Sequence, residues 1–177
     1  MDNLDEAVQR VLGGDTAAFQ RIVEATSSRL VRLSARIVGN VADAEDVVQE
    51  AYVKAYRSLV GGQFDRRSRV QTWLYRIVVN GSIDAKRARA RGAVPTDTLA
   101  DLGWDGAANA EARVALAELN DMLSALPPDQ KAALVLKSVE GFSSAEIGEI
   151  MGRAEGAVEQ LLVRARATLK KKKEDES

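Results

Sequence analysis

Apolar residues recur along this chain with a spacing near 3.6 residues, and every long segment carries this helical period. Patterns of strict alternation, which mark β-strands, are nearly absent. The period is clearest between residues 66 and 91, where one apolar stripe follows the spacing i, i+3, i+4, i+7, i+8: Val70, Trp73, Leu74, Ile77 and Val78. Such a stripe is typical of a helix that packs one side against a core. The pattern therefore predicts an all-α protein.

Four helices are predicted in the first half of the chain. The connections between them are only a few residues long, which favours a compact four-helix domain over residues 1–91. Polar side chains that can cap a helix mark the starts, and glycine or asparagine marks the ends. The predicted helices run over residues 4–12, from a cap at Asp15 or Thr16 to Gly39-Asn40, from Asp43 to Gly61-Gly62, and through the segment 66–91.

The second half has a different composition. Three Gly, one Pro, two Thr and three Asp between residues 92 and 110 predict a flexible linker, and a second helical domain follows over residues 111–173. Pro127-Pro128 separates its first two helices. Ser143 with Glu146 is a capping-box pattern that opens a short helix, and Gly152 leads into a longer one. This order predicts a helix-turn-helix, whose end at residues 170–173 is expected to fray before a tail at 174–177.

Cysteine and histidine are both absent, which limits the chemistry open to the chain. Disulfides, thiolate metal sites, Cys or His nucleophiles and imidazole catalysis are excluded, and there is no nucleotide-binding glycine loop. No apolar run is long enough to cross a membrane, and the acidic first residues do not form a signal peptide. We therefore expect a cytoplasmic protein without membrane insertion, cofactor, metal or enzymatic activity.

Charge is distributed unevenly along the chain. The net charge is −1, yet residues 66–91 contain eight Arg or Lys and one acid, Asp84. A basic segment of this kind indicates a polyanionic partner. A second face of the same helix combines side chains that can neutralise phosphates, read a base edge or stack on a base: Thr72, Tyr75, Arg76, Asn80, Ile83 and Arg87. The alternative is a solvated basic helix whose Trp and Tyr only pack in the core.

Two further surfaces are candidates for binding. The third predicted helix has an acidic face, and because no second acidic cluster faces it, a docking surface or a solvated face is favoured over a metal or acid–base site. The first turns of the helix after Gly152 are acidic or neutral, so phosphate contacts would have to come from Arg153, Arg164 and Arg166, with the lysine run at 170–173 as a further candidate. Glutamate could accept from a cytosine amino group there, and Gln160 could read adenine.

Several motifs resemble, in order and spacing, those of bacterial sigma factors of the extracytoplasmic-function class, over nearly the whole chain. The first two are specific in combination. The motifs are DAEDVVQEAY at 43–52, TWLYRIVVN at 72–80, Leu126-Pro127, EGFSSAEIG at 140–148, Gly156-Ala157-Val158 and Arg164-Ala165-Arg166.

The resemblance implies an alternative sigma factor that binds core RNA polymerase and directs promoter recognition and opening. Residues 1–91 would be the family's region-two domain, which docks on the β′ clamp helices and opens the minus-ten element. Residues 111–173 would be its region-four domain, which binds the minus-thirty-five element and the β flap. Family members are commonly held inactive by an anti-sigma protein that masks both domains, so the expected partners are polymerase, promoter DNA and an anti-sigma factor.

The resemblance also assigns residues to each contact. Polymerase binding is expected of Asp43, Glu45, Asp46, Gln49, Glu50 and Lys54. Contact with the minus-ten element is expected of Phe64, Arg66, Arg67, Thr72, Trp73, Tyr75, Arg76, Asn80, Ile83, Lys86 and Arg87, where Asn80 matches a position that contacts an extruded base. Contact with the minus-thirty-five element is expected of Ser143, Ser144, Arg153, Glu155, Gly156, Glu159, Gln160, Arg164 and Arg166.

One departure from the family pattern keeps alternatives open. After Gly156-Ala157-Val158, where basic and small polar residues are usual, this chain has Glu159-Gln160-Leu161. This puts readout of the minus-thirty-five element in question. One alternative is a sigma-like decoy or adaptor that binds an anti-sigma factor without recognising promoters. Another is an ordinary two-domain repressor, which would bind intact duplex without polymerase.

Overall fold

The computed structural model of the chain describes residues 3–92 and 120–177, and within these ranges it contains helices and no strand. The all-α prediction is confirmed. Residues 120–124 are helical as well. The helices are α1 (Asn3–Leu12), a 3₁₀ turn (Thr16–Ala18), α2 (Phe19–Val38), α3 (Val41–Val60), α4 (Val70–Gly92), α5 (Pro128–Ser138), α6 (Ser144–Met151) and α7 (Glu155–Asp175).

The junction between α2 and α3 consists of two residues that each finish a helix. Gly39 has a left-handed backbone with φ of 99°, and its amide donates to the carbonyl of Ala35. The Asn40 side chain accepts from the Asp43 amide at 2.8 Å and so caps α3. The prediction that Asn40 ends a helix and Asp43 caps the next one was therefore wrong: Asn40 is the cap, and Asp43 lies in the first turn.

The helix-turn-helix prediction is confirmed by α6 and α7. Ser143 and Glu146 form the predicted capping box, and Gly152 adopts a left-handed backbone with φ of 65°. Gly148 allows the turn to pack closely, because a Cβ there would lie 2.6 Å from the Arg153 carbonyl oxygen. The prediction that residues 170–173 fray was wrong, since α7 continues to Asp175. The i,i+4 ion pairs Lys170–Glu174 and Lys172–Glu176 support its last turns.

The predicted apolar stripe of α4 lies in the core. Val70, Leu74 and Val78 are buried, and Trp73 and Ile77 are partly buried. One core cluster joins the start of this stripe to α1 and the end of α3, while a second includes its later turns. Because α4 packs on both α2 and α3, its remaining exposed positions have a fixed orientation.

The N-terminal and C-terminal helices are packed together rather than apart. Helices α2 and α4 pack against α5, and α4 also packs against α6. The larger core cluster runs without interruption from Leu33 and Val79 to Leu136 and Ile147. The predicted linker at 92–110 lies outside the described residues, apart from Gly92 at the end of α4, as does most of the helix predicted before Pro127. The predicted domain boundaries stay a prediction.

Candidate nucleic-acid interface

The loop before α4 and the exposed side of that helix form the main basic surface. The loop bends at Asp65, whose carboxylate accepts from the Arg67 amide at 3.1 Å and lies 3.4 Å from its guanidinium. Arg66 has φ of 56°, a left-handed conformation that residues other than glycine adopt at a cost of about 1 kcal/mol. Arg66, Arg67, Arg76 and Asn80 are all exposed. They present cations and one amide to solvent together.

Phe64 and Trp73 form an aromatic pair at the base of this loop. Their ring centroids are 4.7 Å apart at an angle of 55°, and both side chains are partly buried. Both rings also pack against the cluster formed with α1. Packing alone therefore accounts for the position of Trp73, while part of each ring stays accessible. Thr72, on the same turn, is partly buried as well.

Two residues of the predicted minus-ten set are not on the exposed surface. Tyr75 is 2% exposed and Ile83 is 6% exposed, both in the larger core cluster. The reason is a second apolar stripe on α4, offset from the first, that belongs to the core cluster shared with the C-terminal helices. Lys86 is partly buried too, and its ammonium donates to the Val38 carbonyl at the end of α2.

Tyr75 lies in a polar pocket within this contact. Its hydroxyl donates to the Glu140 carboxylate at 2.9 Å, and its ring meets Phe142 edge-on with centroids 5.1 Å apart. The Arg29 guanidinium lies 5.6 Å from the ring centroid. Burial, and after it the hydrogen bond to Glu140, raises the pKa of Tyr75 far above its ordinary value. The phenol is therefore a donor at any physiological pH.

Arg87, although exposed, is paired with an acid of the C-terminal half. Its guanidinium donates to one Asp129 oxygen at 2.6 Å, and the other oxygen accepts from Arg153. Sequence reasoning missed Asp129 and Glu140, together with the α2 arginines Arg29 and Arg36. Glu140 opens the EGFSSAEIG motif, but no signal in the sequence marks any of the four as the partner of a distant charge.

The acidic face of α3 is exposed as predicted. Asp43 is held more firmly than the rest, because it interacts with both Asn40 and Arg89. Exposed apolar side chains continue the same helix face, and sequence reasoning missed them: Val53, Tyr56 and Val60. The exposed predicted residues are Glu45, Asp46, Gln49, Glu50 and Lys54.

In the helix-turn-helix, most predicted contact residues lie along one helix. Ser143 is used as the cap of α6, and Ser144 is buried. The capping hydrogen bond from the Ser143 backbone lowers the pKa of Glu146. Arg153 is exposed in the turn before α7. The remaining predicted residues are exposed on α7 itself: Glu155, Gly156, Glu159, Gln160, Arg164 and Arg166.

Other kinds of site find little support in the described part of the chain. Residues 3–92 and 120–177 hold no group of three or more acidic, His or Cys side chains able to bind a metal. Among the same residues, no helix has the length and apolar character needed to cross a membrane.

Known proteins match this chain over most of its length. The family model "Sigma-70 region 2" matches residues 22–92, and "Sigma-70, region 4" matches residues 116–169. The ECF RNA polymerase sigma factor SigW of Bacillus subtilis is 32% identical, with 97% of each chain covered. The ECF RNA polymerase sigma-E factor of Escherichia coli K12 is 35% identical, over 93% of this chain and 91% of that protein.

Solved structures share the fold. CnrH in complex with the cytosolic domain of CnrY gives a TM-score of 0.72 at 25% identity, covering 99% of this chain and all of that one. The sigma factor RpoE of Bartonella quintana, in complex with the anti-sigma factor NepR, gives a TM-score of 0.67 over 86% of this chain and 94% of that one. At 23% identity, this second match bears on the fold alone.

Proposed function

This chain belongs to the ECF RNA polymerase sigma factors, and we propose from that premise how its surfaces carry out promoter recognition. It is an alternative sigma factor that binds core RNA polymerase and directs promoter recognition and opening. Sigma factors are transcription initiation factors rather than catalysts, and we assign no catalytic residue to this chain. We infer that it works in the cytoplasm, where polymerase and promoter DNA are found.

The minus-ten element binds the loop at Arg66 and the exposed side of α4. The observation that carries this proposal is the exposure of Arg76 and Asn80 one turn apart, beside the cations of the loop. Opening a duplex requires partners for the bases that leave the stack, and each aromatic–base stack contributes roughly 1–3 kcal/mol. The accessible parts of the Phe64 and Trp73 rings offer such a surface, Asn80 offers hydrogen bonds to an extruded base, and the arginines neutralise phosphates.

Polymerase docks on α3. Its exposed face carries the acids, Gln49 and Lys54, and the apolar stripe of Val53, Tyr56 and Val60 extends the same face. A polar rim beside exposed apolar side chains is the composition of a protein interface. The minus-thirty-five element binds α7, where Glu159 and Gln160 are exposed and able to read base edges.

Reconstitution with core polymerase tests this function. Holoenzyme made with the chain should open a promoter selected from random DNA. Asn80→Ala and Arg76→Ala should each reduce opening about tenfold, the effect of losing roughly 1.4 kcal/mol of DNA contact. Arg32→Ala removes an exposed arginine of α2 and serves as the matched control, with opening unchanged. Holoenzyme that opens no promoter in the selection would refute the proposal.

An anti-sigma factor is a further expected partner. The structural relative CnrH was solved as a complex with the cytosolic domain of CnrY, which supports a protein partner for this chain without identifying it. The decoy alternative rests on the acidic start of α7 at Glu155 and Glu159. A pull-down that recovers an anti-sigma protein but no polymerase would favour the decoy.

A further inference from the structure

Glu140, in the turn between α5 and α6, is surrounded by cationic and hydroxyl donors of the N-terminal half. Its side chain is only 6% exposed. One carboxylate oxygen accepts from the Tyr75 hydroxyl at 2.9 Å and from Arg29 at 3.0 Å, and the other lies 4.0 Å from Arg36. Burying a carboxylate this far from water costs free energy, and only these partners offset that cost. Glu140 therefore favours the packed arrangement of the two halves.

Asp129 makes a second contact of the same kind at the start of α5. Its side chain is 15% exposed. One oxygen accepts from Arg87 of α4 at 2.6 Å, and the other accepts from Arg153 in the turn of the helix-turn-helix. Under the proposed function, Arg87 belongs to the minus-ten surface and Arg153 to the minus-thirty-five surface. Asp129 thus pairs with one arginine from each of the two proposed DNA surfaces.

Carboxylates and phosphates satisfy guanidinium groups in the same way. Both present two oxygens to the N–H groups of arginine, and both form charge-assisted hydrogen bonds. Each arginine held by Asp129 or Glu140 is therefore one that cannot neutralise a phosphate. The contact also covers the Tyr75 ring with Phe142, so an aromatic surface of α4 is withheld together with the cations.

We propose that Asp129 and Glu140 take the place of DNA phosphates in the free chain, closing the C-terminal half over α4 in competition with nucleic acid. This inference rests on the proposed function only in that Arg87, Tyr75 and Arg153, which the contact engages, are among the residues assigned to DNA. Arg76 and Asn80 stay accessible in the closed chain, but DNA contact with Arg87 and Tyr75 then requires that the two halves separate. Free chain should bind nucleic acid weakly, and removal of the two charges should open it and raise its affinity.

The absence of native cysteine makes the opening directly measurable. Donor and acceptor dyes are attached through Val60→Cys on α3 and Lys171→Cys on α7, both exposed and outside the contact. Transfer efficiency is measured for this chain and for the same chain carrying Asp129→Asn and Glu140→Gln, substitutions that remove charge with little change of shape. We expect a clear fall in transfer efficiency at low salt.

Affinity is measured on the same full-length proteins with a single-stranded DNA oligonucleotide of twenty thymidines. The double variant should bind about tenfold more tightly than the unsubstituted chain. The logarithm of its association constant for DNA should fall more steeply with log salt, by a slope of about 3, because up to four released arginines each add about 0.7. Asp121→Asn with Glu149→Gln is the matched control: it removes two exposed acids from the same half and should leave both readouts near those of the unsubstituted chain.

The outcomes separate this inference from the proposed function. Transfer efficiency equal to that of the control, or reduced transfer without a gain in DNA affinity over the control, would overturn the inference. Asp129→Asn alone, which leaves the more deeply buried Glu140 and its partners intact, gives a second reading should the double variant unfold. It should show the same changes at smaller amplitude, and no change would count against the inference. A chain that opens no promoter with polymerase would instead refute the proposed function and leave these measurements unaffected.

Discussion

Replacing Tyr75 by Phe isolates the hydrogen bond that joins the two halves of the chain. The ring stays in place, since it is 2% exposed and packed edge-on against Phe142, so no cavity forms. What is lost is one hydroxyl donor to the Glu140 carboxylate at 2.9 Å. Arg29 and Arg36 remain beside that carboxylate, so the acid is not left without partners.

The expected cost is about 1.5 kcal/mol. A hydrogen bond to a charged group contributes roughly 1.5–3 kcal/mol, and the remaining arginines favour the lower end of that range. Tyr52→Phe is the matched control, because the Tyr52 hydroxyl bonds the neutral Thr26 hydroxyl at 2.7 Å within the N-terminal half. A bond between neutral groups contributes about 1 kcal/mol or less, so Tyr52→Phe should cost less.

Urea unfolding of both variants measures the difference. One transition is expected, because a single core cluster runs through both halves. The midpoint should fall at a constant slope m, which reports the surface exposed on unfolding. A Tyr75→Phe cost no greater than that of Tyr52→Phe would refute the argument, and so would loss of the N-terminal and C-terminal helices in separate transitions.

Three further predictions concern pH and local geometry. Above about pH 10, tyrosine ionises in the unfolded chain, while folded Tyr75 keeps its proton because its pKa is raised. The free energy of unfolding should therefore fall with rising pH more steeply than in Tyr75→Phe, by up to about 1.4 kcal/mol per pH unit, and parallel profiles would contradict the raised pKa. Asn40→Ala should cost about 1 kcal/mol in the same assay through loss of the α3 cap, and no loss would argue against capping. Gly148→Ala should lower the thermal midpoint, with a cost of about 1–3 kcal/mol, since its Cβ would meet the Arg153 carbonyl. Gly156→Ala, which meets nothing within 4 Å, should instead stabilise α7 by about 0.5 kcal/mol; equal effects of the two would refute the packing argument.

The helices and their caps follow from local sequence, and most could be predicted. The capping box at Ser143 and the turn at Gly152 depend on side chains within a few residues, so their signal lies in a short window. The junction at Asn40 was harder. Asparagine can follow the end of one helix or cap the start of the next, and only the side-chain bond to the Asp43 amide distinguishes the two roles.

The contact between the two halves was beyond such reasoning. The helical spacing of apolar residues identified one buried stripe on α4. Tyr75 and Ile83 belong to a second stripe, in a core cluster that includes residues far away in the sequence. Arg29 and Glu140 are 111 positions apart, and Arg87 and Asp129 are 42 apart. A charge that is buried by a distant segment has the same local sequence as one that is solvated. The residues of the predicted DNA face could be named from the sequence, but their accessibility could not.

The junction between α2 and α3 also bears on how this family can vary in length. Gly39 ends one helix through its left-handed backbone and Asn40 caps the next, so neither residue is available as a spacer. An insertion or deletion there would displace a cap and rotate α2 and α3, which pack on each other, out of register. The connection at residues 61–69 is exposed over most of its length and is longer, with Phe64 packed against the core, so an added residue there need not displace both helices. Length differences among relatives should therefore concentrate in this second connection, where new promoter preferences can arise without repacking the helices.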